Sequence, residues 1–195
     1  MIIARHMPRI VCAFGTAMLM AAAPVLPQDR LPERQRDALE LSSIEQDWLA
    51  AHNAARAEVG LGPLRWDSDL ERDARVWAIN LAARGSFQHS PDLLEQGQGE
   101  NLWRGTRNRY SPSDMVGSWI AEQRDFRPGV FPDVSRTGRW ADVGHYTQII
   151  WPGTRKVGCA AAINPGQEVL VCRYAPAGNV IGERLDPNRR SRKRR

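Results

Sequence analysis

Residues 144–175, GHYTQIIWPGTRKVGCAAAINPGQEVLVCRYA, carry the apolar runs around which the rest of the chain has to be layered. Within them Asn164-Pro165-Gly166-Gln167 is a turn sequence, with Pro at i+1 and Gly at i+2. A two-residue loop at Pro165-Gly166 pairs 164 with 167. Counting outward, it sets Cys159 opposite Cys172 at a non-hydrogen-bonded site, where side chains approach most closely. The spacing therefore predicts strands over 156–163 and 168–175, cross-linked by a Cys159–Cys172 disulfide. Pro-Gly favours a type II turn, which matches hairpin twist less well than the primed types, and a longer loop would shift this register.

The opening of the same stretch, GHYTQIIW at 144–151, reads as a third strand. Alternation sends His145, Thr147, Ile149 and Trp151 to one face and Tyr146, Gln148 and Ile150 to the other. Neither face is plainly polar, so the strand should be covered on both sides. On this stretch alone, His145 reads as a core histidine satisfied by one hydrogen bond.

Composition bounds the rest. A chain of 195 residues suits one domain with terminal extensions. Its seven tryptophans point to a core dominated by aromatic packing. The formal charge of +5 is unevenly placed: residues 184–195 hold seven basic and one acidic residue, leaving twenty basic and twenty-one acidic residues in 1–183. The basic character thus belongs to a tail, expected to be disordered, that by charge alone could contact anionic lipid or wall polyanions. Without interleaved aromatics, nucleic acid is the least favoured partner. At the other end, Arg5, His6 and Arg9 precede an apolar run over 10–23 that closes on Ala21-Ala22-Ala23, the order of a secretory signal. Residues 1–27 are read as that signal and 28–43 as a linker. Removing the signal removes Cys12 and leaves an even pair of cysteines suited to an oxidising compartment, extracellular or periplasmic. The apolar run is shorter than a membrane span needs, so the processed chain is not expected to be an integral membrane protein. There is no internal repeat, P-loop or dinucleotide fingerprint.

Between the termini, periodicity predicts three helices. The first starts near Ser42, with Glu45 completing a capping box, and puts Ile44, Trp48, His52, Ala55 and Val59 on one face, which makes His52 a core residue. The second starts at Asp67 or Ser68, carries Leu70, Ala74, Trp77 and Leu81, and ends at Gly85. The third runs over 113–126 and places Glu122 on a stripe with Met115, Trp119 and Phe126. A carboxylate among Trp and Phe needs a partner, because burying it alone is costly. Residues 86–112, with SFQHS and GQGENLW, read as a functional loop holding His89 and Glu100. By itself Glu100 reads as a solvated or capping carboxylate. Three helices followed by at least three antiparallel strands predict an α+β fold, a three-layer α-β-α sandwich around a small antiparallel sheet, over residues 44–183.

HNAAR at 52–56, PLRWD at 63–67, FQHS at 87–90, GENLW at 99–103, WIAE at 119–122, GHYTQIIW at 144–151, VGCA at 157–160 and VCRYAPAGN at 171–179 stand in one order. Together they resemble the CAP superfamily of cysteine-rich secretory, antigen 5 and pathogenesis-related class 1 proteins, also called the SCP domain. The resemblance covers about residues 44–182. It implies the same sandwich, secretion, and a cleft lined by His89, Glu100, Glu122 and His145. In some members of that superfamily the paired histidines bind a divalent metal such as zinc. With one disulfide and no cysteine-rich extension, the chain looks like a bacterial-type minimal member.

Two functions stand open, the first implied by the resemblance to a family most of whose members have no established catalytic activity, and the second by the chemistry of the four residues. One is a secreted binding or interaction module for a small apolar ligand (lipid or sterol), a peptide or an envelope component, with residues 127–140 as the candidate loop. The other is a metal-dependent hydrolase of an extracellular peptide, lipid or wall substrate, in which His89 and His145 hold the metal and Glu100 or Glu122 acts as third ligand, imidazole orienter or base. No Ser or Cys nucleophile accompanies the set, and whether the chain is an enzyme stays open at this level.

Overall fold

The computed structural model describes residues 41–187. The signal over 1–27, the linker up to residue 40 and the basic run from 188 lie outside them. Helix α1, Ser43–Glu58, opens as the sequence requires. Ser42 Oγ accepts from Glu45 N, and Glu45 returns a carboxylate to Ser42 N at 2.7 Å. After the two-residue β1, Arg65–Trp66, helix α2 spans Ser68–Arg84, capped by the Asp67 carboxylate and closed by Gly85 at φ +63°. The short α3, Leu93–Gln96, leads into β2, Gly99–Thr106. Helix α4, Pro112–Ile120, carries a Ser111/Asp114 capping box with proline in its first turn, and passes into a 3₁₀ turn, Ala121–Asp125, short of the Phe126 expected. Next come β3, Gly129–Val130, a second 3₁₀ turn at Trp140–Asp142, α5, Gly144–Ile149, the hairpin β4, Lys156–Ile163, and β5, Gln167–Ala175, and finally β6, Arg184–Leu185.

The main sheet has the order β1-β4-β5-β2. All neighbours are antiparallel except the two-residue β1, which pairs parallel to β4 and makes the sheet mixed. The hairpin register is the one expected, with Cys159 opposite Cys172, the two Cα atoms 4.1 Å apart and the sulfurs bonded. The turn is reached differently. Gly166 is not left-handed, and the Asn164 side chain instead accepts from Gly166 N and Gln167 N, an Asx turn that removes the objection to Pro-Gly.

Alternation on the hairpin builds two cores. Val157, Cys159, Leu170, Cys172 and Tyr174 face α1, α4 and α5, among Trp48, Met115, Trp119, Tyr146 and Ile149. Ala160, Val169 and Val171, with Leu102 of β2, face Ala74, Ala78 and Leu81 of α2. This is the three-layer sandwich. On the α2 side the approach is close enough that a Cβ on Gly158 would lie 2.2 Å from Glu71 N and 2.5 Å from Asp67 O. Gly158→Ala must therefore move a helix backbone, and we expect a loss of at least about 2 kcal/mol in urea unfolding. A loss under about 0.5 kcal/mol would show that α2 is not pinned there.

Three expectations fail. Residues 144–151 are not a strand but helix α5 and its exit, with Tyr146, Thr147, Gln148, Ile149 and Ile150 all buried. A short run that is apolar all round fits a buried helix as well as a buried strand, and burial on every side overrode the β-branched composition. GENLW is not part of a loop but opens β2 at the sheet edge. Its polar residues are tolerated because each finds a partner: Glu100 faces Arg173, and Asn101 donates to Tyr174 Oη and His145 O. The boundary set at 183 is also too early, since β6 pairs with β3 and Leu185 is fully buried.

His52 is the core histidine its stripe demands. Trp48 O can only accept, so Nδ1 carries the proton (2.7 Å), and the neutral ring takes the Tyr174 hydroxyl at Nε2 (2.8 Å). Burial lowers its pKa to about 4, against 6.5 for a free imidazole, the Trp48 carbonyl opposing and Arg56 adding to the shift. Because the folded ring resists a proton that the unfolded chain accepts, stability is full above pH 6.5 and falls as pH drops from 6.5 towards 4. The fall should be about 3 kcal/mol and should flatten in His52→Gln, measured by urea unfolding across that range.

Candidate functional site

Two histidine–carboxylate pairs are carried by four separate segments. His89 lies in the connection between α2 and α3, and its exposed ring places Nδ1 2.7 Å from Oε1 of Glu100, whose side chain is fully buried on β2. The same oxygen accepts from Ser90 N at 3.1 Å. The other carboxylate oxygen, Oε2, lies 2.9 Å from Arg173 Nε as an ion pair without the alignment of a hydrogen bond, and neither of these buried atoms hydrogen-bonds to any other group.

The second pair joins the 3₁₀ turn after α4 to the start of α5. Glu122 Oε1 lies 2.6 Å from His145 Nδ1, while Oε2 accepts from His145 N at 3.0 Å and Tyr146 N at 3.1 Å. The carboxylate thus supplies the acceptor that the first turn of α5 lacks in its own sequence, since Val143 offers no side-chain cap. This is the partner that a Glu on an apolar stripe required. The His145 ring also stacks on Trp119, centroids 5.9 Å apart and planes 15° off parallel, and Trp119 is fixed in turn by its Nε1 donating to Leu102 O.

Because a carboxylate accepts, each imidazole donates from Nδ1 and presents Nε2 as the unshared donor atom. Neither Nε2 has a hydrogen-bond partner among the described residues. That is how metal-binding histidines are commonly held. Asn101 ties the halves together: it follows Glu100 on β2 but points to the opposite face, where it donates to His145 O at 3.1 Å and to Tyr174 Oη at 3.1 Å. Gln148 locks α5 against the sheet edge, its Oε1 accepting from Gly178 N at 3.0 Å in a slot that a Cβ on Gly99 or Gly178 would fill.

Among the described residues, the only group offering three His, Cys, Asp or Glu ligand atoms within 4.8 Å is His52, Cys159 and Cys172. It is no metal site, since both thiols are spent in the disulfide and both nitrogens of His52 are engaged. His89, Glu100, Glu122 and His145 form two dyads rather than a closed cage.

Residues 127–140 are held more firmly than an apolar-tipped loop. Phe131 is buried against Trp151 and Trp140, and of the two aromatic side chains only Trp140 is exposed, beside a concavity of about 430 Å³ lined by Pro132, Asp133, Ser135 and Arg139.

Sequence reasoning did not single out Arg173, Asn101 or Trp119. A usable signal existed for Arg173: alternation of Val169, Val171 and Arg173 puts a charge on an inward face, the same kind of anomaly that marked Glu122.

The family model for the cysteine-rich secretory protein family, CAP, matches residues 49–174. A pathogenesis-related protein of the PR-1 type from Sambucus nigra is 36% identical over 140 residues, 71% of this chain and 80% of that protein. Pathogenesis-related protein 1B from Nicotiana tabacum is 38% identical over 141 residues, covering 71% and 79%. Among solved structures, that of BmVAL-1 superposes with a TM-score of 0.60 at 26% identity, covering 74% of this chain and 82% of that one. NaASP2 with Zn2+ gives 0.60 at 24% identity, covering 77% and 90%, a likeness of fold. The ordered motifs, the sandwich and these matches together make the chain a member of the CAP family of cysteine-rich secretory proteins.

Proposed function

We propose that the protein is an exported binding module whose cleft holds a divalent metal, zinc being the first candidate, through Nε2 of His89 and His145. The single observation that carries this reading is the commitment of the carboxylates. Glu100 and Glu122 spend their oxygens on an imidazole, on backbone amides and, for Glu100, on Arg173. They orient ligands: both oxygens of Glu122 are hydrogen-bonded, and the one oxygen without a hydrogen bond, Glu100 Oε2, is buried against Arg173 and out of reach of a water. Binding is therefore favoured over metal-dependent hydrolysis, for which Glu100 and Glu122 were the candidate bases. Two imidazoles leave the remaining coordination positions to water or to a ligand, where catalytic zinc ordinarily has a third protein group. When bound, the metal would supply a positive centre for an extracellular peptide, lipid headgroup or envelope component, and the exposed Trp140 beside its concavity offers a contact for an apolar part such as a sterol.

Export is supported by the family and by the N-terminal sequence, and no helix among the described residues is long and apolar enough to cross a membrane. In titration calorimetry of the purified chain with Zn2+, His89→Ala and His145→Ala should each abolish binding while circular dichroism and urea midpoints stay near those of the parent. Zinc binding unchanged in either variant would overturn the reading. Turnover of ester or peptide substrates that is lost in Glu122→Gln would restore the hydrolase.

A further inference from the structure

His89 is the least supported member of the cleft. Its side chain is 58% exposed and its one side-chain anchor is the Glu100 carboxylate. Glu100 in turn sits in a fully buried position, and beneath it lies Arg173, 1% exposed. Register puts Arg173 directly across from Glu100 on β5, with Nε 2.9 Å from Oε2 as an ion pair. The rest of the guanidinium turns the other way, into the segment that follows His89. Nη1 donates to Gln98 Oε1 at 2.9 Å and Gln96 Oε1 at 3.3 Å, and Nη2 reaches Asp92 Oδ1 at 3.5 Å. Asp92 is itself tied to the Ser90 hydroxyl, and that donor, ahead of Arg173, holds its carboxyl below the usual range. Gln98 is fixed from its other end, Nε2 donating to Asp73 of α2.

We propose that Arg173 is the positioning residue of the His89 half of the cleft. With Nε it orients the Glu100 carboxylate that fixes the proton of His89 on Nδ1, and with its two Nη atoms it clasps residues 92–98, which bring His89 to that carboxylate. The His145 half uses a different device, since Glu122 is held by two backbone amides of α5 and meets no Lys or Arg among the described residues. Loss of Arg173 therefore acts on one histidine and spares the other. A planar fork is required, because a single ammonium cannot serve Glu100 and two glutamine carbonyls at once.

The affinity part of the test rests on the metal reading above; the imidazole part does not. In the metal-free full-length chain at pH 8.5, ring ¹⁵N shifts of His89 in Arg173→Met should move from the Nδ1–H pattern towards the Nε2–H pattern, with those of His145 unchanged. Zinc affinity by calorimetry should fall about 10- to 100-fold. Folded Arg173→Met with parental His89 shifts overturns the proposal, as does an equal displacement at both histidines. If Arg173→Met does not fold, Arg173→Lys decides: amide exchange over residues 92–98 should quicken at least tenfold, and parental exchange overturns the proposal. If the parent chain takes up no zinc, the metal reading fails while the ring shifts and exchange rates still judge Arg173.

Discussion

Glu100→Ala is expected to lower the free energy of unfolding by about 3–5 kcal/mol, the largest single effect in the cleft. The substitution leaves the buried Arg173 guanidinium with two neutral glutamine carbonyls and, as its remaining counter-charge, the half-exposed Asp92 carboxylate at 3.5 Å, and breaking a buried pair by removing one partner costs about that much. Removing both charges should undo most of the damage. Glu100→Leu combined with Arg173→Met keeps volume and apolar contact beside Val171 and Leu102, and such replacements of buried pairs are often neutral or better. Urea unfolding of the two single variants and the double variant forms a double-mutant cycle. A loss under about 1 kcal/mol for Glu100→Ala would mean that water reaches Arg173 from the edge of β2. A double variant that is stable yet binds zinc weakly in a titration is the expected result if the pair serves to position His89.

The second large effect belongs to a residue far from any exposed surface. Arg56 of α1 is 2% exposed, yet among the described residues it meets no carboxylate and donates only to carbonyls. Nη1 bonds Ile149 O at 2.8 Å and Trp151 O at 3.0 Å, Nη2 bonds Thr154 O at 3.3 Å, and Nε bonds Gly62 O at 2.9 Å. Burial, with Arg155 adding to it, pushes the guanidinium down to about 10, still charged at neutral pH. Ile149, Trp151 and Thr154 supply the carbonyls at and just beyond the C-terminal end of α5, where a helix leaves carbonyls unbonded, and Gly62 supplies one from the connection after α1. Arg56→Met strands Ile149 O, whereas Trp151 O keeps Thr154 N, Thr154 O keeps Arg155 Nη1 and Gly62 is exposed, so we expect a loss of about 1–3 kcal/mol in urea for the buried group left unpaired. Arg56→Lys should recover less than half of it, because one ammonium cannot reach both sides of the turn. Since α5 carries His145, partial unfolding of residues 144–151 should appear first, seen as amide exchange faster there than in the β4–β5 hairpin.

These two residues mark where the sequence stopped being readable. Ser42 with Glu45, Asp67 and Gly85 announced two helices because capping is local chemistry, settled within three or four residues. The hairpin and its disulfide were legible for the same reason, the turn setting a register that then ran outward by counting. Glu122 was legible as an anomaly, a carboxylate on an apolar stripe, although nothing local named its partner. What failed were segments whose state depends on distant groups. GHYTQIIW carries no cap at either end; Glu122 supplies one and Arg56 the other, from 23 and 93 residues away along the chain. GENLW looked too polar for a strand because Arg173 and Tyr174, which satisfy its Glu and Asn, lie on another strand.

The sequence by itself determined the capped helices, the hairpin register and the disulfide, each of which follows from spacing along the chain, while the set His89, Glu100, Glu122 and His145 came from the likeness of its ordered motifs to a family. Only the tertiary structure decided that the opening of the apolar stretch is a helix, that each carboxylate serves one imidazole through Nδ1, and that a buried arginine supports one pair while a helix start supports the other. The physical reason is common to all three. A buried polar group must be satisfied wherever it lies, and its partner is chosen by the fold rather than by the neighbouring sequence.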